Sequence, residues 1–102
     1  MKYSVRVELH KDPEPDYDQL HVDMDEEGFA RWIWSGSEGL QKLALPTAEY
    51  VLETPESSSQ VLMRARRAAE RAHPGKYGVM VTPMVGKHAH FGLSPWVDTD
   101  EG

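Results

Sequence analysis

The chain has 102 residues and a formal net charge of −6, and it contains no cysteine. A chain of this length forms one small domain with little internal room, so no large cofactor is expected. Without cysteine it can have no disulfide, thiolate nucleophile or zinc–thiolate site, which fits a cytoplasmic protein. The acidic balance argues against a DNA-binding protein or a surface devoted wholly to nucleic acid, because such domains are usually basic.

Neither a secretory signal nor a membrane span is predicted. The N-terminus has no basic segment followed by an apolar run, and no stretch approaches the roughly 20 apolar residues of a membrane helix. The charges are unevenly distributed, with acids concentrated before residue 28 and bases between residues 64 and 76. The sequence therefore predicts a soluble, dipolar molecule with one acidic helix and one basic helix.

The chain begins with the pattern of a half-buried strand. Residues 3–10 alternate apolar and polar side chains without exception, and the two prolines in residues 11–15 should end the strand. Asp16 is expected to cap the helix that follows, and Gly28 to close it in a left-handed conformation. The apolar face of this helix comprises Tyr17, Leu20 and Met24. Its acids are expected to face mostly water: Asp18, Asp23 and Asp25.

Aromatic and β-branched residues at 29–34 predict a second strand, and the small polar residues 35–39 predict a turn. The return arm should run from about residue 40 to residue 45. Proline interrupts a β-ladder, so Pro46 should break this arm before it resumes at residues 49–53. The segment is therefore expected to form an interrupted hairpin.

Alanine, leucine and arginine dominate residues 60–73, which predicts a second helix capped by one of the serines at 57–59. Small side chains on one stripe should let this helix pack closely on a sheet: Val61, Leu62, Ala65, Ala68, Ala69 and Ala72. Residues 77–82 predict the last core strand, and residues 83–93 a hairpin-like extension. We expect one domain over residues 1–93 and a flexible acidic tail over residues 94–102.

Two strand–helix–strand units in series predict an α+β fold of the ferredoxin-like type. This βαββαβ sandwich has one four-stranded antiparallel sheet with both helices on one face. Burying an unpaired Arg31 would be costly, so Ala30, Trp32 and Trp34 are predicted to face the helices. The uncovered face would then carry Arg6, Glu8, His10, Arg31 and Glu49, flanked by Phe29 and Ile33.

Four segments resemble a bacterial family of small proteins grouped with the GhoS-type antitoxin. They are residues 3–10 (YSVRVELH), 28–31 (GFAR), 45–50 (LPTAEY) and 76–82 (KYGVMVT), in the same order over about eighty residues. The resemblance implies a ferredoxin-like endoribonuclease of a type V toxin–antitoxin pair, which cleaves the messenger RNA of a membrane toxin. His10 stands where related CRISPR-associated endoribonucleases have an aspartate, so the expected mechanism is metal-independent.

Cleavage of RNA without a metal needs a base, an acid and a cation that stabilises the charge on phosphorus. His10 and Arg31 are the candidates for base and cation, and Glu8 or Glu49 could orient them. Alternatively, polar residues on an open sheet face only keep it hydrated or pair across strands. A third reading is a non-catalytic module that uses Arg6, Glu8 and Glu49 to bind a second copy or another protein.

Three further groups are candidates for binding. Arg64, Arg67 and Arg71, with Lys76 beyond them, could follow an RNA backbone, although a charged helix flank usually faces solvent. Trp32 and Trp34 would stack on bases only if they faced outward, and core packing is the alternative. His88 and His90 have a spacing suited to a metal, but no third ligand lies near them in sequence, so no metal site is predicted.

Overall fold

A computed structural model describes residues 1–11, 14–35, 41–86 and 91–97. The element order is β1 (Lys2–Leu9), α1 (Tyr17–Glu26), β2 (Trp32–Ser35), β3 (Gln41–Ala44), β4 (Glu49–Glu53), α2 (Ser58–Ala72) and β5 (Tyr77–Met84). The predicted α+β class is confirmed, and each predicted helix and strand has a counterpart. Residues 36–39 of the predicted turn, residues 87–90 of the extension and residues 98–102 of the predicted tail lie outside the described residues.

β1 is the centre of a three-stranded antiparallel sheet with the order β4–β1–β5. Its alternation has the predicted result: the odd-numbered side chains are buried, and the even-numbered ones of the strand are exposed or half-buried. The buried set packs with both helices in one core: Tyr3, Val5, Val7, Leu9, Leu20, Met24, Phe29, Tyr50, Val61, Ala65, Ala68 and Ala69. One face of this sheet is therefore covered by the helices, as predicted.

The helix ends follow the local sequence signals. The Asp16 side chain accepts a hydrogen bond from the Gln19 backbone nitrogen at 3.0 Å, and Gly28 after α1 has a φ of 97°. Ser57 caps α2 in a capping box with Gln60. These bonds satisfy backbone donors that the first turn of a helix leaves without partners.

The prediction for the acids of α1 is wrong at one position. Asp18 and Asp25 are exposed, but Asp23 is only 5% exposed. Its carboxylate lies 3.5 Å from the guanidinium Nε of Arg71, and Gln19 donates to it as well. A carboxylate can be buried when cationic and polar donors replace its water, which explains why Asp23 lies in the interface between the helices.

A single four-stranded sheet is not observed. β2 and β3 form a separate two-stranded sheet, and only Ala30 continues the larger sheet, through one antiparallel bridge to Val51. The order β4–β1–β5 with both helices on one face is consistent with a ferredoxin-like arrangement. The segment expected to be its fourth strand leaves the sheet after one residue.

This departure overturns the predicted orientation of residues 29–34. Phe29, placed beside the open face in the prediction, is 2% exposed and lies in the core. Trp34, placed in the core, is 56% exposed. Arg31, placed on the open face, is half-buried, and its charge acts on the pKa values of His21 in α1 and of the buried Tyr50. The prediction assumed that all of residues 29–34 lie in the main sheet. Residues 32–35 pair with β3 instead, so their alternation does not tell which side chains face the helices.

Residues 94–96 lie along β3. The Ala44 backbone nitrogen donates to the Ser94 carbonyl at 2.8 Å, and the Trp96 nitrogen donates to the Lys42 carbonyl at 2.9 Å. An isolated bridge joins Leu43 to Pro95. The beginning of the segment expected to be a flexible tail is thus hydrogen-bonded to the second sheet.

Candidate functional site

His10 and Arg31, the predicted catalytic pair, lie far apart. His10 is exposed directly after β1, where its backbone nitrogen donates to the Lys76 carbonyl at 2.9 Å. Ala30, next to Arg31 in the chain, bridges Val51, which pairs with Ser4 of β1. Ser4 precedes His10 by six residues, which span about 20 Å in an extended chain. The structure therefore does not bring these two side chains to one site.

The arginine row of α2, which comprises Arg64, Arg67 and Arg71, contacts acids, although Arg67 and Arg71 remain exposed to solvent. Arg64 Nε lies 2.8 Å from Glu56 Oε1, and Arg64 Nη1 donates to the backbone carbonyl of Glu27 at 2.8 Å. Arg67 Nη2 donates to Glu27 Oε1 at 3.1 Å. The first two members of the predicted RNA-binding flank are thus already engaged within the protein.

Arg71 completes the same ionic network. Besides Asp23, its guanidinium lies 3.4 Å from Glu27 and 3.9 Å from Glu26. The hydrogen bond from Arg67 is the main cause that holds the pKa of Glu27 below its ordinary value. The acidic helix and the basic helix predicted from the sequence therefore neutralise each other where they meet, and this network holds α1 against α2.

Lys76, the last residue of the predicted RNA-binding set, has a different position. It is exposed immediately before β5, and its backbone nitrogen donates to the His73 carbonyl at 3.2 Å. The buried His73 fixes this corner, because its Nε2 atom lies 2.7 Å from the His10 carbonyl oxygen. Lys76 therefore lies at the end of β1, away from the Glu27 network.

The open face of the main sheet carries Arg6, Glu8 and Glu49, as predicted. Arg6 Nη1 lies 3.7 Å from Glu49 Oε1 across the β1–β4 pair, and Glu8 is exposed. Met80 on β5 adds an apolar side chain that is 62% exposed. A shallow depression lies over this part of the sheet, where Gly78 has no side chain to fill it. Both charge signs and an apolar group are thus available here to a binding partner.

The second sheet holds an aromatic and cationic surface, which we call the tryptophan hairpin and define as Trp32, Trp34 and Lys42. Trp34 pairs with Lys42 across β2 and β3, so all three side chains lie on one face. The Lys42 Nζ atom is 4.2 Å from the centroid of the Trp32 ring and 5.6 Å from that of Trp34. The two indoles meet edge to face, 5.4 Å apart.

Arg31 and Trp96 place a second cation on an indole nearby. The guanidinium carbon of Arg31 lies 5.3 Å from the centroid of the Trp96 ring. All three tryptophans of the chain are therefore in the second sheet or in the segment bound to it. An indole face attracts cations through its quadrupole and stacks on other flat rings, so the surface suits ligands with planar groups and negative charge.

His21 and Tyr50 form a polar pair beside Arg31. His21 Nδ1 and the Tyr50 hydroxyl oxygen are 2.7 Å apart and share a hydrogen bond. Burial lowers the pKa of His21, and the charge of Arg31 lowers it further, while Asp18 opposes both. Burial raises the pKa of the Tyr50 hydroxyl above its ordinary value. Both groups are therefore neutral at neutral pH, and this pair connects α1 to β4.

Sequence reasoning did not single out Lys42, Trp96, His21 or Tyr50. A signal for Lys42 exists: aligning the two arms of the hairpin places this cation opposite the alternating tryptophans. Trp96 and His21 have no such signal, because their partners are distant in sequence.

Within the described ranges, no three histidine or acidic side chains lie close enough together to hold a metal ion. His88 and His90 lie outside those ranges. Neither α1 nor α2, the helices of the described part, has the length and apolar content that crossing a bilayer requires. Comparison of the chain with protein-family models, curated proteins and solved structures found no match.

Proposed function

We propose that this protein binds single-stranded RNA through the tryptophan hairpin. The observation that supports the proposal is Trp34, an indole that is 56% exposed and lies beside Trp32 and Lys42 on one face. In a domain of this size, large aromatic side chains are normally buried in the core. An exposed indole next to a cation is typical of surfaces that stack on nucleobases.

Unpaired bases and their phosphates match this surface in chemistry. An indole offers a flat apolar face for one base, and stacking contributes about 1–3 kcal/mol per base. Lys42, which lies over the Trp32 ring, offers positive charge to the adjacent phosphates.

The arginine row of α2 supports an RNA-binding role less well than the sequence suggested. Its three guanidiniums are engaged by Asp23, Glu27 and Glu56. A phosphate would have to displace carboxylates that are already in place, and the exchange gains little.

The resemblance to the GhoS-type antitoxin family supports the same class of ligand. We propose that the fold is a variant of the ferredoxin-like sandwich in which the strand of residues 29–34 contributes only Ala30 to the main sheet. On the same resemblance, we also propose that the protein cleaves the RNA that it binds. The distance between His10 and Arg31 favours binding over a catalytic site formed by that pair.

The test is the affinity for a labelled single-stranded RNA, measured by fluorescence anisotropy. We expect Trp34→Ala to weaken binding about tenfold, because one stacking partner is lost. The matched control is Phe91→Ala, which removes another exposed aromatic side chain, 99% exposed and outside the hairpin. Equal affinities for the wild type and Trp34→Ala would contradict the proposal, as would tighter binding of duplex than of single-stranded RNA.

Cleavage is tested on the same labelled RNA, with and without a chelator. A metal-independent endoribonuclease would give products in both conditions. Loss of products in His10→Ala at unchanged RNA affinity would support the role of base predicted for His10, whereas Arg31→Ala should lower the affinity as well. RNA that is bound but stays intact with the wild type would leave a binding protein without nuclease activity.

A further inference from the structure

On the open face, β5 has a protruding side chain next to a position without one. Met80 is 62% exposed, and Gly78 precedes it by two residues on the same face of β5. A Cβ atom built at Gly78 would meet nothing within 4 Å. Both residues line the depression together with Arg6 and Glu8. We call Met80 the knob and the open position over Gly78 the hole.

Two charged residues of β1 lie in cross-strand rows, one with Met80 and one with Gly78. In the register of β1 and β5, Arg6 pairs with Met80, and Glu8 pairs with Gly78. One row therefore carries a cation and the knob, and the next carries an anion and the hole. Consider a two-fold axis in the plane of the interface. The axis runs perpendicular to the strands and midway between the two rows, so rotation about it exchanges the rows. It brings Arg6 over Glu8 of a second copy, and Met80 over its Gly78.

We infer that the open face binds a second copy of this chain, with the two sheets face to face around this axis. Each copy contributes the same cation, anion, knob and hole, so the interface is isologous and every contact occurs twice. Packed sheets lie about 10 Å apart, a gap that a methionine side chain and an arginine–glutamate pair can fill. This inference does not depend on the proposed RNA binding.

The composition of the face favours a second copy over RNA. Its acids lie beside Arg6: Glu49 at 3.7 Å and Glu8 two residues along β1. They would repel a phosphate but attract the arginine of another copy. A sheet of two eight-residue strands and the five-residue β4 measures at most roughly 14 by 26 Å. The interface is therefore small, and the dimer should dissociate at micromolar concentration.

The test is the oligomeric state of the full chain, measured by sedimentation equilibrium over a range of concentrations. We expect a reversible dimer for the wild type, weakened at least tenfold in Gly78→Leu, where the new side chain fills the hole. The same variant should keep its folded structure, since its side chain enters open space on the outer face. Its circular dichroism spectrum and melting transition check this directly.

Two pairs of variants locate the interface. Met80→Lys should abolish the dimer, whereas Met63→Lys, at an exposed methionine of α2, should leave it unchanged. Glu8→Arg should weaken the dimer by opposing Arg6 of the second copy, and the double variant Arg6→Glu with Glu8→Arg should restore it. A wild type that stays monomeric at its highest soluble concentration would overturn the inference. So would a dimer that Gly78→Leu and Met80→Lys leave intact.

Discussion

Two sets of cations in this molecule have opposite surroundings. The arginine row of α2 faces carboxylates of α1 and Glu56, whereas Lys42 and Arg31 lie over indole rings. A carboxylate neutralises a guanidinium, but an indole stabilises a cation and leaves its charge in place. The arginine row, which looks most like an RNA-binding site in the sequence, therefore links the two helices, whereas Lys42 and Arg31 belong to aromatic surfaces that can stack on a ligand.

Removing Glu27 should produce the largest change. Glu27 bonds to Arg67 and Arg71, and its side chain is only 15% exposed. We expect Glu27→Ala to lower the free energy of unfolding by about 1 kcal/mol, because one carboxylate that bonds to two solvated arginines of α2 is lost. Urea unfolding followed by circular dichroism measures the difference.

Glu26→Ala is the control for this change. Glu26 is 64% exposed in its side chain and lies 3.9 Å from Arg71, so we expect a loss within about 0.5 kcal/mol. The pKa of Glu27 is lowered in the folded protein, so its contribution is present above the ordinary carboxyl pKa and is lost as the pH falls through the folded value. The stabilities of wild type and Glu27→Ala should therefore converge below about pH 4. Equal losses for both variants would contradict a special role of Glu27.

The salt dependence of RNA binding distinguishes the two sets of cations. Each cation that contacts a phosphate of single-stranded RNA contributes about 0.7 to the slope of log affinity against log salt concentration. We expect Lys42→Gln to reduce this slope by about that amount and Arg67→Gln to leave it unchanged. Arg67 is the matched choice because its salt bridge involves Glu27 alone. The reverse result would mean that α2 contacts the RNA.

The smallest expected effect is that of the Arg31 charge on the pKa of His21. Burial is the main cause that lowers the pKa of His21, and the Arg31 charge adds to it. Arg31→Gln should therefore raise the pKa of His21 towards its ordinary value, as measured by titrating the imidazole signals in NMR spectra. Arg6→Gln, which removes a cation from the open face, should not. An unchanged His21 titration in Arg31→Gln would place the guanidinium farther from this ring.

Local patterns predicted the main elements because the forces behind them are local. The alternation of β1, the Asp16 cap and the small-residue stripe of α2 each involve residues a few positions apart. The burial of Asp23 could not be predicted in this way, since its partner Arg71 is 48 residues away. Only the assembled helix pair supplies the charge that makes the buried carboxylate stable.

The candidate site was predicted less well than the fold. Arg6, Glu8 and Glu49 lie on the open face as expected, because they follow the alternation of strands that pair in register. Trp34, predicted in the core, and Arg31, predicted on the open face, do not lie as predicted, because their orientation depends on which sheet the chain joins after Ala30. An alternating pattern gives two faces but does not state which sheet a strand belongs to.

The position of β1 has a consequence for how the protein is made. The first strand of the chain is the central strand of the sheet, and its partners are residues 49–53 and 77–84. During synthesis, both backbone edges of β1 therefore stay unpaired until most of the chain has been translated. Val5, Val7 and Leu9 stay exposed for the same time. Pairings at such distances also slow folding, so the nascent chain has a long interval in which it can aggregate.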